Sequence, residues 1–480
     1  MTSIEIFDGA NVIGGSKILL NSSNESILLD FGMNFKTFSN YFEEYLRPRS
    51  SRGLKDLIKM KLLPPISGLY RNDLFPEDLA RDDFLLNKNI SGVFLSHAHV
   101  DHSGCIGYLR GDIPIYASAL TIKILEVMQT TTKSDFVRDC YFIKEKALCD
   151  DGLSMKVKGE KKLRPFITLK DEDCKVGPYN CKFFSVDHSI YGASSLAIET
   201  ENGWVVYSGD LRLHGTRGEL TKKFIESAAK LHPKVLIIEG TRITSDKKIT
   251  EDEVFENSLS AVTANRGKLI IADFGPRNVE RLVSFYNIAV QTDRILVILP
   301  QDLYLLEHIA EADNILMSPM LTSNNFLIYY EPKGRREQWE EDLIAKNNER
   351  LITPSKIRVN PANYILSFSF WDINNLIDID VTDGVYIYSS SEAYTEEQKI
   401  DFERLRNWLK FFNFSFIGDP LYESNFHASG HISRSELIAL IEDISPEIII
   451  PVHTEHPEEF VNLFGDRVKV LYNGESLNLY

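Results

Sequence analysis

Residues 96–102 read Ser-His-Ala-His-Val-Asp-His, three imidazoles and one carboxylate within seven residues. His97 and His99 are two apart, so an extended backbone points both rings the same way. Asp101 and His102 follow after a turn and can face a neighbouring ion. Neutral imidazole and carboxylate suit Zn²⁺ or Mn²⁺. One ion cannot readily take all four and keep an open position for water. Two ions roughly 3.5–4 Å apart could, with further ligands supplied from elsewhere. The plain alternative, a histidine-rich polar turn, fits poorly with this spacing directly after an apolar run.

Three later positions carry the same ligand types at the ends of apolar runs. His188 closes Phe183-Phe184-Ser185-Val186, Asp210 closes Trp204-Val205-Val206-Tyr207, and His453 closes Ile448-Ile449-Ile450-Pro451-Val452. A lone histidine after a strand is structural about as often as not; together with 96–102 the set points to one site. His427, Ser429 and Gly430 lie in HASGH, where small residues let backbone N–H groups approach a phosphate and a helix, SRSELIALIEDI, follows. Ser389, Ser390 and Ser391 follow VYIY; a phosphate contact and a helix N-cap run before TEEQK fit them equally. His214, His232, His308 and His456 match no such pattern and read as surface or structural.

The elements that must position these groups are legible in outline. Residues 4–33 alternate apolar runs with glycine turns and open a β-sheet. Residues 34–90 mix prolines, aromatics and basic residues, and read as helices and loops inserted before the strand that ends in the histidine cluster. A helical stretch is expected near 118–148, then strands near 153–157 and 181–186. From about 234, VLIIEG, KLIIADF and RILVILP alternate with helical stretches near 251–264 and 277–290, a βαβαβ run continuing to about 391. Sheet-and-helix pattern then returns through EIIIPVH. The chain has 480 residues, 43% hydrophobic and 25% charged, as expected of a globular protein of two or three domains. No apolar run is long enough to span a membrane, and the N-terminus has no signal-peptide pattern. Five cysteines without CxxC pairing suit a reducing cytoplasm and argue against a cysteine zinc site. A net charge of −16 means that any polyanion must be held by a local cationic site.

In order, LLDFG (Asp30), SHAHVDHSG, DHS (His188) and SGD (Asp210) resemble the four motifs of the metallo-β-lactamase fold. Glu239 in LIIEGT, His431 in HASGHIS and His453 in PVHTE resemble motifs A, B and C of its β-CASP nuclease branch. Within that branch, HASGH with PVH about twenty residues on, and NVERL after a strand, are most similar to ribonuclease J. The resemblance implies an α/β fold: an αββα sandwich with an inserted parallel α/β β-CASP domain. The expected division is 1–238, 239–395 and 396–480, the outer two pieces forming the metallo-β-lactamase domain. Residues 34–90 are longer than the usual connection, and the additional C-terminal domain common in ribonuclease J is not expected after NGESLNLY.

By resemblance, His97, His99 and His188 hold one ion, Asp101, His102 and His453 the other, and Asp210 bridges them. Asp30 orients a ligand histidine. His431 faces the phosphate and protonates the leaving oxygen, supported by Glu239. The implied cofactors are two divalent ions, Zn²⁺ first and Mn²⁺ second, activating a water that attacks phosphorus. The implied substrate is single-stranded RNA, with DNA the alternative. DNA-directed members commonly have valine where His453 stands, which favours RNA. A small-molecule hydrolase fits the acidic charge but not HASGH or the insertion; a non-catalytic subunit does not fit the full set of ligand types. A monomer and a homodimer both remain open. The aromatic and basic residues of 34–90 are expected to form a lid over the cleft, with packing on the back of the sheet as the alternative.

Overall fold

Strict alternation builds the first sheet. Thr2–Asp8 buries Thr2, Ile4 and Ile6 and pairs antiparallel with Lys17–Ser22, which pairs with Glu25–Leu29. Glu25–Leu29 then runs parallel to Ile90–Phe94, followed outward by Ile115–Ser118 and Phe166–Leu169; Ser476–Leu479 closes the opposite edge. This is a computed structural model, and it describes residues 1–480 except 24, 44, 81–83, 85, 171–172, 314–318, 392–395 and 423–424.

The second sheet has the order Asp173–Val176, Tyr179–Ser185, Ser194–Thr200, Gly203–Tyr207, Val235–Glu239, Ile448–Val452. The first three pairings are antiparallel and the last two parallel. The sheets face each other through Ile4, Ile18, Leu29 and Phe94 on one side and Phe183, Leu196, Val205 and Ile237 on the other. Each such side chain contributes about 1.5–3 kcal/mol on burial, so the sandwich fixes the loops at its edge. Helices Gly218–Ala229 and Arg434–Ile444 cover the outer face of the second sheet. Ala119–Thr131 lies on the first, giving the expected αββα layering.

Between Val235–Glu239 and its neighbour Ile448–Val452 the chain builds a third sheet. Its order is Leu351–Ile352, Phe326–Tyr329, Ile295–Ile298, Tyr364–Ser367, Ile270–Asp273, Val385–Tyr388, Ser415–Ile417. Every pairing in it is parallel, as near-continuous apolar strands alternating with helices require. Its helix Pro300–Ala312 packs on Ala119–Thr131, joining this unit to the sandwich.

Two expectations need correction. The helix after the histidine cluster stops at Thr131, and Phe142–Leu148 is a strand paired antiparallel with Met155–Leu163. Gln129 ends the helical region by accepting from Tyr141 N and Phe142 N through its side-chain oxygen, so cross-strand pairing overrides local helix propensity. In 34–90, Phe38 and Tyr70 are buried rather than displayed; they join Leu54, Leu57, Leu62 and Leu69 in the core that backs the first sheet. Its cations are largely occupied locally, Arg49 by Asp56 and both Arg52 and Lys55 by Asp78. Tyr41 and Tyr45 do stand in solvent, 46% and 88% exposed. The N-cap alternative for Ser389–Ser391 involves residues 392–395, outside the described residues.

Candidate metal centre

All the ligand-type residues arrive at one edge because their strands point the same way. Tyr179–Ser185, Gly203–Tyr207, Val235–Glu239 and Ile448–Val452 share a direction and deliver His188, Asp210, Glu239 and His453 from their C-terminal ends. Glu25–Leu29 and Ile90–Phe94, parallel neighbours in the facing sheet, deliver Asp30 and His97. Ser194 N donates to Ser96 O (3.0 Å), stitching the two edges together. Asp30 and His453 both adopt left-handed backbone, φ 59° and 51°. Such conformations cost energy and cluster at functional sites. Here Asp30 N donates to Phe94 O and His453 N to Gly9 O, which hold them.

The ring nitrogens divide into inward and anchored sets. His97 Nε2 and His188 Nε2 each lie 3.1 Å from His99 Nδ1. Asp101 Oδ2 lies 3.2 Å from His453 Nε2 and 3.8 Å from His102 Nε2. Asp210 Oδ2 stands between the groups, 3.1 Å from His102, 3.6 Å from His453, 3.8 Å from His97 and 3.9 Å from His188. The outward nitrogens are engaged. His97 Nδ1 meets Ser96 Oγ, His102 Nδ1 meets Asp30 Oδ2 (2.7 Å), His188 Nδ1 meets Gly430 O, and His453 Nδ1 meets Thr241 Oγ1 (2.9 Å). A proton fixed on each Nδ1 leaves each Nε2 lone pair inward, the arrangement metal-ligating histidines use.

The donor set fits a metal. Four ligands at about 2.0–2.1 Å around a tetrahedral ion are about 3.3 Å apart, close to the 3.1 Å between the ring nitrogens at His99. Asp210 Oδ1 is buried without a hydrogen-bond partner among the described residues, which is costly unless a cation meets it. Two of the compact ligand groups are His97–His99–His188 and Asp101–His102–His453, and Asp210 stands with His97 and His102 in a third.

Electrostatics agree for the His97–His99–His188 group, whereas a metal at His102 must displace a proton. Burial, then neighbouring imidazoles, pushes His97 and His188 well below the usual histidine range, and burial chiefly holds His99 to about 4; all three are neutral, as ligands must be. Burial also disfavours charge on His102, but Asp210, Asp101 and Asp30 outweigh it and raise its proton affinity. Burial opposes ionisation of Asp210 too, yet the surrounding histidines hold it well below the usual carboxylate range.

His431 lies at the rim, 20% exposed, with Nδ1 3.0 Å from both Glu239 oxygens and 3.9 Å from Asp210 Oδ2. Burial works against its charge, but Glu239 and Asp210 lift it to about 9. Glu239 is held by Leu211 N and Thr241 N. In the 427–431 stretch, Ser429 Oγ accepts from His431 N, and Gly430 sits so close to His188 that a Cβ would come within 2.8 Å of its ring. His427 is mostly buried with Nδ1 unpartnered among the described residues, and burial drives it down to about 3. Ser389 is buried and donates to Phe426 O, so it braces the loop; Ser390 next to it is half-buried.

Sequence reasoning reached Glu280 and Arg281 only through the NVERL resemblance and missed the scaffold they form beneath this loop. Arg212, fully buried, pairs with Asp187, Glu251 and Glu280 and donates to Ser429 O. Arg281 pairs with Glu251 and donates to Ser389 O and Phe426 O. His214, read as surface or structural, is structural: it is buried and donates to Ser429 O (2.9 Å). Tyr207, Ser96 and Thr241 anchor the ligands. Only the position of Tyr207 and Ser96 beside motif residues could have flagged them.

Residues 423–465, which carry Gly430, His431 and His453, match the family model described as Zn-dependent metallo-hydrolase RNA specificity domain. Over its whole length the chain is 24% identical to ribonuclease J of Pyrococcus abyssi and covers 97% of it. It is 23% identical to ribonuclease J 2 of Streptococcus pyogenes over 81% of the chain, and 24% identical to ribonuclease J of Sinorhizobium meliloti over 82%. It spans 65% and 64% of those two bacterial proteins. A crystal structure of a protein of unknown function from Enterococcus faecalis superposes with a TM-score of 0.74 at 24% identity, over 99% of both chains.

Proposed function

We propose that this chain, a metallo-β-lactamase-fold protein of the β-CASP kind similar to ribonuclease J, hydrolyses phosphodiester bonds of single-stranded RNA in a metal-dependent reaction. The observation that carries the reading is a juxtaposition: a two-lobed histidine–carboxylate cluster abuts the His431–Glu239 pair, 3.0 Å apart, and His431 and His453 lie inside the match to the RNA specificity domain. We assign two divalent ions, Zn²⁺ in preference to Mn²⁺, with His97, His99 and His188 on one, Asp101, His102 and His453 on the other, and Asp210 shared. When bound, such ions supply an activated water and offset charge on the phosphoryl oxygens.

The chain's own groups do the rest. Asp30 keeps His102, and the Gly430 carbonyl keeps His188, in the tautomer that ligates. Glu239 holds His431 Nδ1, so that the other ring nitrogen can give a proton to the departing oxygen. Backbone N–H groups of the 427–431 stretch suit a neighbouring phosphate, and we assign the Ser390 hydroxyl to another. We divide the chain into a metallo-β-lactamase domain of residues 1–238 and 396–480 and a β-CASP domain of 239–395. All five cysteines are free thiols and no helix among the described residues is long and apolar enough to cross a membrane; the thiols support a cytoplasmic setting.

The test is incubation of Zn²⁺- or Mn²⁺-loaded protein with 5′- and 3′-labelled single-stranded RNA and DNA, and with a lactone. RNA should be cut, chelation should stop cutting, and metal should restore it. Intact RNA alongside turnover of DNA or lactone would overturn the reading.

A further inference from the structure

The 34–90 segment, longer than the usual connection, walls a cavity of about 870 Å³ together with the 133–139 stretch and the inserted unit. Its lining includes Met33 and Phe35, which follow closely on Asp30. Both are tied to the metal edge. Met33 N donates to Val100 O (3.0 Å), in the helical turn that carries Asp101 and His102. Lys36, next to Phe35, pairs with Glu455, two residues beyond His453. Deeper in the segment the lining is apolar, with Phe38 and Phe42 in ring contact at 5.2 Å beside Leu57. The inserted unit contributes Trp371 and, from helix Glu396–Phe411, Ile400 and Arg404.

Large aromatic rings stand uncovered at this cavity. Tyr45 is 88% exposed, Trp371 77% and Phe35 44%. Single exposed apolar groups are ordinary, but three flat rings on one cavity mark a binding surface. Two of them are held on display. Glu43 accepts from Tyr45 N and Leu46 N (3.0 and 2.8 Å), and Ser369 Oγ donates to Asp372 (2.6 Å) across the turn that bears Trp371. The cavity is also cationic, in a chain of net charge −16. Arg47, Arg49, Lys133, Arg138, Lys146 and Arg404 line it, against the four carboxylates Glu43, Asp135, Asp139 and Asp401. Asp139 is already met by buried Arg71. The exposed pairs of Arg138 with Asp135, Arg404 with Asp401 and Lys133 with Glu337 are weak and can yield to a phosphate.

We infer that this cavity binds the single-stranded RNA substrate beyond the reacting bond, with unpaired bases stacked on Tyr45 and Trp371 and phosphates met by the surrounding cations. The inference rests on the phosphodiesterase reading above. Flat apolar rings among cations match an unpaired strand, which offers both base faces and phosphates, whereas a duplex hides its base faces in the stack. Because the lining runs on from Asp30, a strand with one phosphate at the metal edge can continue into the cavity. The cations supply the local attraction that an acidic chain otherwise lacks.

Binding of dye-labelled phosphorothioate RNA, which resists cutting, to the metal-loaded full chain is measured by anisotropy for wild type, Tyr45→Ala, Trp371→Ala and Trp371→Phe. Each alanine variant should weaken binding about 10-fold, with melting temperature and metal content kept. Trp371→Phe, which retains a flat ring, should recover most of the loss. Lys133→Gln, Arg138→Gln and Arg404→Gln together should flatten the slope of log affinity against log salt by about 2. Turnover of bis(p-nitrophenyl) phosphate, which has no strand to lay in the cavity, should be unchanged in all of them. Unchanged RNA affinity in both alanine variants, equal affinity for duplex RNA, or a free mononucleotide bound as tightly as the strand would overturn the inference, and continued cutting of RNA would then leave the phosphodiesterase reading intact. RNA held through Tyr45 and Trp371 but never cut would refute that reading and leave this inference standing.

Discussion

Replacing Arg212 with methionine should unfold the molecule's polar centre more than any ligand substitution. Arg212 and its partners Asp187, Glu251 and Glu280 have side chains no more than 3% exposed, so solvent cannot take over the pairing. Removing one partner of a buried ion network costs about 3–5 kcal/mol. With a urea slope of about 3 kcal/mol per molar, the midpoint falls by about 1–2 M. Asp187 adds a pH signature. Burial already pushes it up to about 6, against the pull of Arg212. A carboxyl raised above its unfolded value of 3.8 favours the fold at low pH and costs stability as pH rises through the folded value. Without Arg212 that value climbs further, so the cost keeps growing above pH 6, by up to about 1.4 kcal/mol per pH unit. Urea unfolding of metal-loaded Arg212→Met and wild type at pH 6 and 8 should therefore show the gap widening toward pH 8. A deficit below about 1 kcal/mol, or one equal at both values, would refute the reasoning.

Asp30→Ala should weaken metal affinity about 10- to 100-fold, read by chelator competition, because the His102 ring loses its 2.7 Å anchor. Gly32→Ala should cost at least about 3 kcal/mol in melting experiments and deplete metal, since a Cβ there would lie 1.6 Å from Asp101 O. His431→Ala should lower kcat about 10²- to 10⁴-fold while elemental analysis finds metal content unchanged; metal loss would make His431 a ligand. Neutral ligand histidines also predict that metal is released on acidification, as protons compete for ring nitrogens held low by burial, with release followed by a chromogenic chelator.

The ligand types and their strand-end positions were legible because both depend on short-range rules. Two-residue spacing points His97 and His99 together, and an apolar run ending in a polar residue marks a sheet edge whatever the rest of the chain does. The inserted parallel sheet was legible for the same reason, from alternating apolar strands and helices. Assembly was not. His453 reaches Asp101 from 352 residues away, and only the order and direction of strands decide that they meet. Nor does the pairing of Arg212 and Glu251 with Glu280 and Arg281, the last two legible only as part of NVERL, carry any local mark, since a charged residue looks solvated until packing removes the water. The Phe142–Leu148 strand and the burial of Phe38 and Tyr70 diverged from expectation because tertiary packing, not local propensity, decided them. The sequence determined which groups could do chemistry; the tertiary structure decided which of their atoms face one another, because that depends on pairing across hundreds of residues.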